Sequence, residues 1–170
     1  MTVVYRVLES PCGRLTLAGD DDAIVALQWF AHPEAEAEAR GWRAAPEFHP
    51  RLDQAVEQLE DYFRGRRKHF DIPVNPRGSA FQRRAWLSLA TIGYGETISY
   101  QEQARRMGRP TAARAVGGAN ARNPISIILP CHRVVGKGGA LTGYGGGLEI
   151  KQRLLELEGI RIRKGRIVRG

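Results

Sequence analysis

The sequence predicts a mixed α/β protein built as two domains: an N-terminal α/β domain over residues 1–75 and a largely helical domain over residues 76–170. Three observations lead there. Short β-rich runs fill the first thirty residues and give way to helical spacing. A stretch with two prolines, Asp71–Gly78, interrupts that pattern. The charge changes sign at the same place: residues 1–75 hold 9 Lys/Arg against 13 Asp/Glu, a balance of −4, and residues 76–170 hold 17 against 5, a balance of +12. At 170 residues and 42% hydrophobic, the chain can fill one solid core or two small ones.

In chain order, Val3–Leu8, Leu15–Ala18 and Ile24–Trp29 read as strands of a β-meander. They are separated by Ser10-Pro11-Cys12-Gly13 and Gly19-Asp20-Asp21-Asp22, which have turn chemistry. Glu34–Arg40 alternates Ala and Glu as a short low-complexity stretch. Leu52, Val56, Leu59 and Phe63 recur at helical spacing, and Arg64-Gly65-Arg66-Arg67-Lys68 ends that helix. Asp71–Gly78 is expected to be the linker.

The second half carries clear helix starts. Ser79-Ala80-Phe81-Gln82 is a capping box, in which the Ser and Gln side chains each satisfy an orphan amide of the first turn. Phe81, Ala85 and Leu89 then line one face as far as Gly93. Ser99-Tyr100-Gln101-Glu102 reads as a second capping box opening a short helix to Met107. Gly108-Arg109-Pro110 makes a tight turn, and Thr111 is placed to cap a third helix running toward Ala121. Two short helices joined by a glycine-containing turn form a helix-turn-helix pattern. Its second helix has little side-chain bulk at Ala112, Ala113, Ala115, Gly117, Gly118 and Ala119, yet it carries Arg114. Small residues allow close approach to another surface. In a half of charge +12, the expected surface is a nucleic-acid groove.

No apolar run approaches the roughly 20 residues that span a bilayer, and Met1–Glu9 has no signal-peptide pattern. The expectation is a cytoplasmic protein with no membrane partner. In that compartment a Cys12–Cys131 disulfide is disfavoured, so at least one thiol is expected to be free.

Asn123-Pro124 turns the chain into Ile125–Leu129, an apolar run suited to a buried strand, followed by Pro130-Cys131-His132-Arg133-Val134. A cysteine beside histidine and arginine sits in an electropositive setting that favours the nucleophilic thiolate. Neighbours on an extended chain point to opposite sides, so a water between Cys131 and His132 is the expected proton relay.

Pro130-Cys131-His132-Arg133 resembles the active-site signature of the O6-alkylguanine-DNA alkyltransferases. The resemblance extends through Tyr94–Tyr100, Ala113–Gly117, Asn123-Pro124, Gly143–Gly147 and Leu154–Gly159, in the family's order and spacing. It is strong from about Phe81 to Glu158 and looser in the N-terminal half, where Tyr62-Phe63-Arg64-Gly65 is the most typical piece. It implies a ribonuclease-H-like N-terminal sheet domain and a winged-helix-like C-terminal domain.

The resemblance also implies roles. Cys131 accepts the alkyl group, His132 acts through water as its base, and Glu158 orients His132, which is triad logic applied to alkyl transfer. Tyr100 protonates the departing guanine at a ring nitrogen and crowds the target phosphate. Asn123 holds the turn before the active site. Arg114 enters the base stack as a finger, with Ala113, Thr111 and Gly117 at the DNA surface. Tyr144 and Gly145 form the lid of a base pocket completed by Val134 and Ser126. The implied partner is duplex DNA containing O6-alkylguanine, bound by a monomer without a cofactor.

Some relatives bind zinc in the N-terminal domain. Here Cys12, His32, His49 and His69 have no ligand spacing, so no metal is expected, and Cys12 reads as structural. Ser126 stands where some relatives carry proline. Two rival readings remain at this level. A non-catalytic alkylated-DNA-binding or regulatory helix-turn-helix protein would bind without labelling Cys131. A cysteine hydrolase would turn over, but its partners are usually separated in sequence.

Overall fold

In the computed structural model, which describes residues 2–168, the meander forms as the alternation requires. β1 (Val4–Ser10) and β2 (Gly13–Gly19) pair antiparallel, with Ser10 opposite Gly13 at the turn. There Gly13 takes φ 102°, which a side chain would strain. β3 (Ile24–Gln28) adds antiparallel to β2. The Ala/Glu stretch folds as α1 (Pro33–Ala39) and returns the chain to β4 (Arg43–Ala44), parallel to β1, giving the order β3-β2-β1-β4.

Both faces of this sheet are covered. Val3, Tyr5, Ala18, Val25 and Ala26 pack with Ala37 of α1 and with Trp42. α2 (Pro50–Phe63) packs against β1, β2 and β3, burying Leu52, Ala55, Leu59 and Tyr62. It starts two residues earlier than the apolar spacing suggests, because His49 Nδ1 accepts the Leu52 N–H and so serves as the cap. The stretch expected to be a plain linker is tied down in part. Pro73 O and the Asn75 N–H bond to Ile24 at the sheet edge, and Asp71 exchanges hydrogen bonds with Gln58.

One compact unit ends at Arg77 and a second begins at Gly78. The second opens with α3 (Ala80–Ser88), whose capping box is complete: Ser79 Oγ accepts the Gln82 N–H at 3.1 Å, and Gln82 Oε1 accepts the Ser79 N–H at 3.0 Å. α4 (Tyr100–Arg106) and α5 (Ala113–Asn120) follow, separated by a turn in which Gly108 has φ 75°. Ala85, Ala104, Met107, Val116 and Ala119 form their shared core. Its small side chains bring the helices close enough for a buried polar clasp. Gln103 and Asn120 exchange hydrogen bonds of 2.7 and 3.1 Å, and Gln103 also donates to Ala85 O. Each such bond contributes about 1 kcal/mol net, and an orphaned partner costs about 1–3 kcal/mol.

Three expectations are corrected here. The second capping box is only half made: Ser99 Oγ accepts the Glu102 N–H at 3.0 Å, but Arg105 and Arg106 occupy the Glu102 carboxylate. Thr111 does not cap α5. The turn closed by Ala112 N–H on Arg109 O absorbs it, and Ala112 precedes the helix without a side-chain cap. Ile125–Leu129 is not a strand. Ile127 stands at φ 72°, and Leu129 N–H bonds back to Ile125 O. The run is apolar because the bend is buried, not because it joins a sheet.

The remaining strands are short. β5 (Ile98–Ser99) pairs parallel with β6 (Val134–Val135). α6 (Leu148–Leu157) precedes a hairpin of β7 (Ile162–Arg163) and β8 (Arg166–Ile167). Among the described residues, no helix is long and apolar enough to cross a membrane.

Candidate active site around Cys131

Cys131 opens a single 3-10 turn, Cys131–Arg133, between the buried bend and β6. Asn123 shapes that bend. Its Oδ1 accepts the Ile125 N–H at 3.0 Å, and its Nδ2 donates to Leu129 O at 2.8 Å and to Cys131 Sγ at 3.2 Å. One buried amide therefore fixes the approach to the cysteine and places a donor on the sulfur. The extended geometry expected for Cys131-His132 gives way to this turn.

His132, fully buried, points its Nε2 at Glu158 Oε2, 2.7 Å away. Among the described residues its buried Nδ1 has no hydrogen-bond partner, and no hydrogen bond joins His132 to Cys131. Glu158 is the C-cap of α6. Beyond His132 it accepts from Arg133 Nε at 2.8 Å, from Arg133 Nη2 at 3.1 Å and from the Gly95 N–H at 3.1 Å. The third Arg133 nitrogen, Nη1, donates to Ile92 O. Burial alone would raise the Glu158 carboxyl, but the bonds from His132 and Arg133 outweigh it and hold the group at about 2. An ionised Glu158 only accepts, so His132 Nε2 carries a proton and a neutral ring leaves Nδ1 as an acceptor.

Burial pushes the Cys131 thiol up, against the opposing pull of Asn123 and the Lys151 charge. Burial likewise lowers His132, against the pull of Glu158. Burial thus works against both the thiolate and the imidazolium at rest, opposite to the push expected from the electropositive neighbours. Desolvation decides the sign.

Sequence reasoning passed over Lys151 and gave Arg133 no specific role. Lys151, fully buried in α6, donates to Val134 O at 2.6 Å and to Thr142 O at 2.7 Å. Burial lowers it to about 8, with Cys131 opposing. A signal was available: Lys151, Leu154, Leu155 and Glu158 share the i, i+3, i+4, i+7 face that turns inward. Charges on such a face are either paired or functional.

Two family models match. That for the ribonuclease-like domain of 6-O-methylguanine DNA methyltransferase covers residues 3–76, and that for the DNA binding domain covers residues 80–160. The chain belongs to this family. It is 52% identical over 156 residues to the methylated-DNA–protein-cysteine methyltransferase of Mycolicibacterium paratuberculosis, covering 92% of each chain. With that of Methanosarcina acetivorans it shares 46%, over 91% of this chain and 97% of the other. The crystal structure of Mycobacterium tuberculosis O6-methylguanine methyltransferase superposes with a TM-score of 0.83 at 48% identity, covering 92% of this chain and 93% of that one. The same organism's protein in complex with DNA gives 0.82 at 48%, over 91% of each chain. The sheet unit followed by a helical DNA-binding unit is the fold of these methyltransferases.

Other residues singled out in the sequence surround this centre or stand on the helix-turn-helix. Tyr100 begins α4, with its hydroxyl 3.0 Å from Thr142 Oγ1, so Lys151 anchors the residue that Tyr100 meets. Gly117 of α5 faces the Tyr100 ring, where a Cβ would lie 3.6 Å from it. Val134 and Ser126 are buried; Tyr144 is half-buried and Gly145 exposed in the loop before α6. Arg114 and Thr111 are exposed, and Ala113 is half-buried. Cys12 and Cys131 are both buried. Among the described residues no group of three or more His, Cys, Asp or Glu is placed to hold a metal ion.

Proposed function

We propose that this chain is a methylated-DNA–protein-cysteine methyltransferase that removes the alkyl group from O6-methylguanine, and from O4-methylthymine, in duplex DNA. It acts as a monomer in the cytoplasm, once per molecule. The observation that carries this reading is the buried Cys131, held by Asn123 and followed by the His132–Glu158 pair, in a chain belonging to the family over nearly its whole length.

The reacting carbon lies on a base edge inside the duplex, so the nucleotide must leave the stack first. In the pocket, Cys131 loses its proton to His132 Nδ1 through a water, and Glu158 stabilises the imidazolium. The sulfur attacks the alkyl carbon as the carbon–O6 bond breaks, and the bonding pair stays with the purine. The Tyr100 hydroxyl supplies a proton to a ring nitrogen of the departing guanine, and the proton held by His132 replaces it through solvent. The Asn123 amide and the Lys151 ammonium favour the thiolate that the apolar surroundings disfavour. The products are an S-alkyl thioether and guanine restored in place.

The direct test is mass spectrometry after mixing the protein with methylated duplex. A gain of one methyl on Cys131 is expected. DNA bound without any label would instead mean a non-catalytic binding protein.

Arg114 stands exposed on the helix that carries the small residues, and we assign it the gap left by the extruded base. Arg114→Ala is therefore expected to slow transfer from duplex by tenfold or more, a fraction of the few kcal/mol that flipping costs. Transfer from free O6-methylguanine, which needs no flipping, should change little. Equal losses on both substrates would make Arg114 a support of the fold.

A further inference from the structure

The family match stops at residue 160, and the hairpin of β7 and β8 lies beyond it. This hairpin is built with two unlike faces. Ile162 and Ile167 pair across it and pack, with Ile160, on Val135, Leu141 and Leu155. The next rung sets Arg163 directly opposite Arg166, and both are exposed, as are Arg161 and Lys164. The two-residue turn has φ 54° at Lys164 and 72° at Gly165, the pair of positive values that a tight hairpin needs. Lysine is a poor residue for the first of these positions, where Asn, Asp or Gly is preferred.

Three features here work against stability or neutrality. Like charges directly opposite one another on a strand pair repel. A non-glycine residue at positive φ is strained. Among the described residues, none of these four cations meets a carboxylate. The hairpin is nevertheless firmly docked: Leu141 N–H donates to Gly165 O at 2.9 Å, and Ala140 bridges Arg166. Docking brings the cations to a particular place. The Arg166 guanidinium lies over Gly138, where a Cβ would come within 3.2 Å of it. Gly138, with exposed Lys137, lines a cavity of about 410 Å³ together with Ser99, Tyr100 and Gln101.

We infer that the β7–β8 hairpin is a basic wing that grips the phosphate backbone of duplex DNA beside the lesion, through Arg163, Lys164 and Arg166 together with Lys137. The inference rests on the reading of Tyr100 as the residue at the target phosphate. The wing extends that grip along the backbone, and phosphates relieve the repulsion between the facing arginines.

The experiment is the affinity of the intact protein for a lesion-bearing duplex across a salt series, comparing wild type with R163Q/K164Q/R166Q. The slope of log K against log salt should become shallower by about 2–3, at about 0.9 for each phosphate that the variant no longer neutralises. The thermal midpoint of the variant should stay level or rise, since the facing charges are gone. R163K/R166K, which keeps the charges, should keep the wild-type slope. An unchanged slope in the glutamine variant overturns the wing, and so does an equal flattening in the lysine variant. Failure of the wild type to label Cys131 would count against the methyltransferase reading instead, and the salt slopes would still decide on the wing.

Discussion

With methylated duplex in excess, the wild-type protein is expected to take up one methyl per molecule and stop, and Cys131→Ser to take up none. The limit follows from the bond formed. A methyl thioether has no good leaving group, so water does not release the sulfur. Nor can the other cysteine resume the reaction, since Cys12 is buried in the N-terminal unit. The serine variant keeps the Asn123 donor and the His132–Glu158 pair, but a hydroxyl resists ionisation far more than a thiol. Burial, which already pushes Cys131 up, weighs on an alkoxide as well. Transfer should fall below detection while DNA binding persists, because the helix-turn-helix is untouched. The measurement is methyl incorporation by mass spectrometry at several substrate ratios. Repeated turnover without an added thiol, or label in the serine variant, would overturn the mechanism.

What could be read from residues alone follows a physical pattern. Local rules succeeded where one interaction dominates. The meander shows in alternation and turn residues, and the Ser79–Gln82 box needs only its own four residues. Failures came where tertiary interactions compete for the same atoms. Glu102 has the spacing for a capping box but spends its carboxylate on Arg105 and Arg106. Ile125–Leu129 has strand composition, yet Asn123 binds both ends of the run and bends it.

The chemistry was legible through the motif but not through charge. Arginine and histidine beside Cys131 suggested a ready thiolate. In the fold, Arg133 turns its guanidinium to Glu158 and Ile92 O, so its charge is spent on the Glu158 carboxylate and not on the sulfur. The cation that does favour the thiolate, Lys151, is twenty residues away in sequence and reaches the site only because α6 turns its inner face there.

Glu158→Gln should damage both stability and reactivity, and pH separates the two. Among the described residues the carboxylate is the sole counter-charge for Arg133, so its removal leaves a buried cation unpaired, at a cost of about 3–5 kcal/mol. The native carboxyl titrates at about 2 against an ordinary value of 4.5. A depressed acid stabilises the fold fully above its unfolded value, and that contribution fades as pH falls from about 4.5 toward 2. The stability gap between variant and wild type should therefore be widest near neutral pH and narrow in acid.

Reactivity should change in a different window. Burial already lowers His132, and Glu158 is what opposes it. Without the carboxylate, the imidazolium that His132 would become on taking the Cys131 proton is less favoured. Alkylation by iodoacetamide near neutral pH should slow by tenfold or more, and its pH profile should move to higher pH. A merely structural role for Glu158 would lower the melting point and leave that profile in place for the folded fraction. If the gap does not narrow in acid, the carboxylate is not the group that holds Arg133. If the profile does not move, His132 does not take the proton from Cys131.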